Sequence, residues 1–170
     1  MQAEDLKIFL TGTERYFDSY LGDSCEVEPP YLMDKESTIL EYTGMIGVTG
    51  KERGAVYFTA NQPMLYEMLR VMLPLDIAEM ENTAAKAGTP EQCKKELDSS
   101  IDEACLDIVG EIANTIAGNS REHFGEHFNI SVPLRLKVKQ DQIQFPKEAK
   151  TFIIPLRWRK HRAFLFICLE

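Results

Sequence analysis

Two strand-forming blocks limit what this chain can become, because their β-branched and aromatic runs call for a sheet to pair them. In the first, "STILEYTGMIGVTG" (37–50) is followed by "GAVYFTA" (54–60), and the polar "GKER" (50–53) between them makes a natural hairpin loop. In the second, "ISVPLRLKVK" (130–139), "TFIIPLRW" (151–158) and "AFLFICLE" (163–170) follow one another as strand after strand. "RWRKHR" (157–162) reads as the turn joining the last two. "CEVEPPYLM" (25–33) holds a proline pair, which allows only a short extended piece or an edge strand.

The rest has helical periodicity. Leu6, Phe9, Leu10, Phe17, Tyr20 and Leu21 form a stripe that Gly22 closes. Asn61 is placed to N-cap a helix carrying Leu65, Met68, Leu69 and Met72, with Pro63 in its first turn and Pro74 beyond its end. Residues 76–100 are polar, contain a Gly-Thr-Pro break, and read as a surface insertion or helical linker. A long helix then runs from about Lys95 to about Phe124. The order helix, strands, helix, helix, strands predicts an α+β fold, with helices on one face of a mainly antiparallel sheet. At 170 residues, one domain spanning 1–170 with a single core is expected.

Nineteen basic against 27 acidic residues give a net charge of -8, which disfavours nucleic acid or an anionic membrane as partner. No stretch approaches the roughly 20 apolar residues of a membrane helix. The opening "MQAEDLKIFL" lacks the basic-then-apolar order of a signal peptide, so the cytoplasm is the expected location. Cys25, Cys93, Cys105 and Cys168 fit neither a zinc site nor a disulfide framework and are expected to be reduced.

"LDIVGEIANTIAGN" (106–119) poses a sharper question. At roughly 100° per residue, Ile101, Cys105, Ile108, Val109, Ile112 and Ile116 share one face of the helix. Glu103, Asp107, Glu111, Asn114, Gly118 and Arg121 share the other, with Gly110 at its edge. An interior glycine costs a helix about 0.8–1 kcal/mol relative to alanine. Either Gly110 and Gly118 permit packing inside the domain, or they lower the ridge so that another macromolecule can approach the backbone. Glu111 and Asn114 are i and i+3, so they can reach one target. "HFGEH" (123–127) places two histidines in a zinc-peptidase-like pattern, but Gly125 lies within it near the helix end. The histidines then read as cations at the negative end of the helix dipole, and no metal ligands are assigned.

"DEACLDIVGEIANTIAGN" (102–119), followed by "ISVP", resembles the signature of the CheC and CheX family of chemotaxis phosphatases. That signature has an Asp or Ser, an E-x-x-N on one helix, and a later proline, here Asp107, Glu111, Asn114 and Pro133. "YTGMIGVTGKERGAVYFT" (42–59) resembles the hairpin that precedes the helices in CheX. CheC carries two E-x-x-N helices and this chain one, so CheX is the closer match.

The resemblance implies a hydrolase acting on the aspartyl phosphate of a CheY-type receiver, in a cytoplasmic chemotaxis pathway. Asn114 would orient the attacking water and Glu111 would pair with the receiver's lysine. Asp107, Gly110 and Gly118 would face the partner. No cofactor of its own is implied, since the receiver supplies the Mg2+. An acyl phosphate is already activated, so positioning and charge neutralisation suffice. A homodimer joined through edge strands is also implied, with apolar "AFLFICLE" as a candidate edge. The alternative is a non-catalytic module that binds a receiver or a flagellar switch component, although docking alone gives no reason for an amide at 114.

Overall fold

The computed structural model describes residues 3–33, 39–138 and 150–170. Residues 37, 38 and 139, at the ends of two expected strands, lie outside the described residues. Helix α1 (Ala3–Leu21) buries Leu6, Phe9, Phe17 and Leu21 as its stripe requires. Tyr16 is buried where Tyr20 was expected, and Tyr20 lies outside, stacked on it at 4.8 Å. Strands β1 (Glu26–Val27) and β2 (Tyr31–Leu32) flank the proline pair. Strands β3 (Tyr42–Gly50) and β4 (Gly54–Ala60) form the expected hairpin.

Helix α2 (Gln62–Met72) starts after Asn61, whose side chain makes no cap and instead accepts from the Glu41 N–H at 3.4 Å. Pro74 opens a further helix, α3 (Pro74–Ala84), since a proline at the first helical position loses no hydrogen bond. Helix α4 (Pro90–Phe124) begins five residues before the expected start at Lys95, because Thr89 and Gln92 cap it reciprocally. The Thr89 N–H donates to Gln92 Oε1 at 2.8 Å and the Gln92 N–H to Thr89 Oγ1 at 3.3 Å. Residues 76–100 are therefore α3, a short turn and the start of α4. Ile77 and Ala84 are buried, so α3 belongs to the helical layer.

Strands β5 (Phe128–Ile130), β6 (Leu134–Lys137), β7 (Thr151–Trp158) and β8 (His161–Leu169) complete the chain. Among the described residues one antiparallel sheet has the order β1-β7-β8-β4-β3-β5, with β2 also on β7 and β6 also on β3. The expected α+β class and antiparallel sheet are found. The expectation that "AFLFICLE" is an edge is not, because β8 lies between β7 and β4. Its side chains are buried on both faces: Leu165 and Ile167 join the core beneath the helices, Phe166 and Cys168 a second cluster with Ile39, Tyr57 and Ile153. A strand covered on both faces is apolar throughout. The outer strands are β1 and β2 at one side, β5 and β6 at the other.

Pro155 shows why one outer side is split. It has no N–H to donate, and β1 and β2 pair with β7 on either side of it, leaving Pro29 and Pro30 in the gap. Its carbonyl still accepts from the Glu28 N–H at 3.0 Å.

Arg159 and Lys160 make the turn expected in "RWRKHR". Arg157 and Arg162 pair with Glu28, and Arg159 with Asp23 and Glu67, so this basic run is largely neutralised within the chain. All four cysteines are free, and burial pushes the Cys25 and Cys105 thiols up to about 12. No helix among the described residues is long and apolar enough to cross a membrane.

Candidate functional site

The ridge of α4 is fixed by what lies beneath it. Ile108, Val109, Ile112, Ala113, Ile116 and Ala117 are buried, and each large apolar side chain contributes about 1.5–3 kcal/mol by leaving water. Gly44 of β3 lets the helix backbone rest directly on the sheet. A Cβ at 44 would lie 2.2 Å from the Val109 carbonyl oxygen and 3.1 Å from Gly110 Cα.

A polar cluster holds the preceding turns. Asp102 accepts from Lys137 Nζ at 2.7 Å, from Gln62 Nε2 at 3.1 Å and from the Tyr42 hydroxyl. Burial works against the ionised form of Asp102, but the hydrogen bonds from Lys137 and Tyr42 outweigh it and hold the carboxyl below its usual range. Burial, reinforced by Asp102, pushes the Tyr42 phenol up to about 12. One carboxylate thus ties α4 to α2, β3 and β6.

Asp107 and Glu111 are exposed one turn apart, and Asn114 is half-buried in the next turn. Neither Glu111 nor Asn114 makes a side-chain hydrogen bond or ion pair among the described residues. Glu111 does act through its field on the buried Tyr16, whose phenol is raised chiefly by burial, then by Tyr20 and Glu111. The ridge therefore presents a free carboxylate and a free amide.

The two glycines of the ridge differ. Gly110 is buried, and a Cβ there would meet Arg135 Cγ at 2.8 Å, Arg135 Cδ at 2.9 Å and Pro133 Cβ at 3.4 Å. Its missing side chain thus gives room to β6 of the same chain. Gly118 is half-buried, and its nearest neighbour would be Ile130 Cδ1 at 3.9 Å. Asp107, Gly110, Glu111, Val132, Pro133 and Arg135 line one shallow depression. Pro133 is brought beside Gly110 and Glu111, while Asn114 and Gly118 lie outside that depression.

Sequence reasoning missed Arg135. Its guanidinium donates to Asp107, with both side chains about half-exposed. No local pattern could have found this pair, because register on β3 decides which cation of "PLRLK" reaches which acid of α4. Further along α4, Gly125 ends the helix at φ 83° between the two histidines, and His123 lies 3.4 Å from Asp5. Among the described residues no cluster of His, Cys, Asp or Glu is arranged to hold a metal ion.

A search of curated proteins gives no match. Solved structures do match over almost the whole chain. The chemotaxis protein CheX from Vibrio vulnificus is 22% identical, with TM-score 0.76 over 99% of this chain and 100% of that one. CheX from Desulfovibrio desulfuricans is 19% identical, with TM-score 0.75 over 98% and 99%. The CheX–CheY–BeF3–Mg2+ complex from Borrelia burgdorferi matches at 16% identity and TM-score 0.72, over 99% of each chain. These likenesses establish the fold. The family model described as chemotaxis phosphatase CheX matches residues 42–157, a span from β3 through α4 to β7 that includes Asp107, Glu111, Asn114 and Pro133. On that match, the chain belongs to the CheX family.

Proposed function

We propose that the protein removes the phosphoryl group from the aspartate of a CheY-type receiver domain, using Asn114 to orient water and Glu111 to anchor the receiver's lysine. The observation that carries this reading is the pairing of an unpartnered carboxylate and an unpartnered amide on successive turns of α4. Membership of the CheX family supports it, as does the likeness to a CheX solved in complex with CheY, BeF3 and Mg2+.

An amide offers a donor and an acceptor on one plane, so Asn114 can hold a water in line with the P–O bond. A neutral amide is no base, and its contribution is orientation. Glu111 would repel the phosphoryl group, and an ion pair with the partner's lysine is the role its charge suits. The Mg2+ belongs to the receiver in this reading, where it neutralises the transferring group. Asp107 and Gly110 line the depression beside Glu111, and Gly118 keeps the next turns low, so all three are proposed to face the receiver. A homodimer formed through outer strands is part of the same reading, with Tyr31 and Leu32 of β2 about half-exposed. Sedimentation at micromolar concentration should show twice the chain mass.

The deciding experiment follows phosphate loss from a receiver with catalytic amounts of the protein. Turnover at sub-stoichiometric amounts is expected for the wild type. Asn114→Ala should abolish it while receiver binding survives. Full activity in that variant would remove Asn114 from the role, and a wild type that binds without shortening the phosphate lifetime would make the protein a docking module.

A further inference from the structure

The pair formed by Arg135 and Asp107 is costly to build and adds little to folding. Arg135 leaves β6, lays its methylenes across the site where residue 110 lacks a Cβ, and delivers its guanidinium to Asp107. A pair this exposed contributes little to stability, since water screens both charges. The glycine that lets the side chain cross costs the helix about as much. Stability therefore does not account for the arrangement.

Its place beside Glu111 does. Asp107 and Glu111 are i and i+4 on α4, neighbours on one face, and both line the depression with Arg135. A ridge with two free carboxylates one turn apart would repel a phosphorylated partner twice. With Asp107 covered, Glu111 is the one unpaired carboxylate among the residues that line the depression, matching a single lysine across the interface.

We propose that Arg135 is a positioning residue, which neutralises Asp107 so that Glu111 and Asn114 can approach the aspartyl phosphate. This rests on the phosphatase reading above. The guanidinium touches no reacting atom, so its effect falls on association and not on the chemical step.

The test uses a purified CheY-type receiver domain of the host, phosphorylated with acetyl phosphate, and catalytic amounts of wild type, Arg135→Ala, and the double variant Asp107→Asn with Arg135→Ala. Arg135→Ala should raise KM about fivefold with kcat little changed, the size of one like-charge contact near 4 Å in water. The defect should shrink at about 1 M salt, where the screening length falls to about 3 Å. The double variant should recover most of the lost KM, which a merely structural loss would not allow. An unchanged KM in Arg135→Ala, or a double variant as impaired as the single one, overturns the proposal. If the wild type itself does not shorten the phosphate lifetime, the phosphatase reading fails separately. Arg135 is then judged by affinity for the receiver loaded with BeF3 and Mg2+, where equal binding by wild type and Arg135→Ala overturns it.

Discussion

Gly44 and Val109 are in contact through their backbones, with the place of a Gly44 Cβ only 2.2 Å from the Val109 carbonyl oxygen. The contact lies beneath the ridge that bears Glu111 and Asn114, so the height of α4 above the sheet is set by a missing side chain. Gly44→Ala should destabilise the fold by about 1–3 kcal/mol, the range for overpacking a close contact. Urea unfolding would read that loss. Receiver dephosphorylation should fall as well, because the helix must lift to admit the methyl group.

Gly110→Ala should behave differently. The obstructing atoms there are Arg135 Cγ and Cδ, part of a flexible chain that can swing away. Relief of the glycine penalty, about 0.8–1 kcal/mol, then offsets the local crowding, and stability by urea unfolding should stay within about 1 kcal/mol of wild type. Arg135 would be displaced from Asp107, so on the proposed function KM for the phosphorylated receiver should rise as predicted for Arg135→Ala.

Asp102 gathers Tyr42, Gln62 and Lys137, and its removal leaves the Tyr42 hydroxyl without its acceptor. Asp102→Ala should cost about 1–3 kcal/mol, the penalty for orphaning a partly buried polar group. Tyr42→Phe should cost about 1 kcal/mol or less, since Asp102 keeps Lys137 and Gln62. Equal losses in the two variants would show that the carboxylate does not organise the cluster.

Glu67 supplies a pH signature. Hydrogen bonds from Arg159 and then His161 hold its carboxyl at about 2, against an ordinary value of 4.5. The folded value lies below the unfolded one, so this contribution is fully present above about pH 4.5 and is lost as pH falls towards 2. Wild type should therefore lose stability more steeply than Glu67→Gln between about pH 4.5 and about pH 3. Urea midpoints compared across that range provide the check, and parallel curves would count against the pairing.

Patterns confined to a single element were readable from residues alone. The alternation around "GKER" placed the β3–β4 hairpin, and the isoleucine stripe of α4 separated its buried face from the one bearing Glu111 and Asn114. What failed depended on partners distant in sequence. A wholly apolar run such as "AFLFICLE" is the same string whether it awaits a partner at an edge or is covered on both faces at the centre. Residues 76–100 read as a surface insertion or helical linker, and they are largely exposed and helical; α3 buries only Ile77 and Ala84, too sparse a pattern to show where that helix packs. For Gly110 the helix pattern left packing within the chain and clearance for a partner both open, and it could not show that Arg135 of the same chain is the immediate neighbour. The side chain that fills the space comes from a strand whose register no helix pattern contains.

The central position of β8 has a kinetic consequence. Gly54 pairs with Leu169 and Ala60 with Ala163, so the β4–β8 seam closes a loop that contains α2, α3 and α4. Pairings between residues so far apart in the chain are slow to form, because loop-closure entropy must be met before the contacts reward it. The β3–β4 and β7–β8 hairpins are local and can form early. The helix bearing Glu111 and Asn114 lies within the loop that this long-range seam closes, and the site reaches its final geometry only when the seam has zipped.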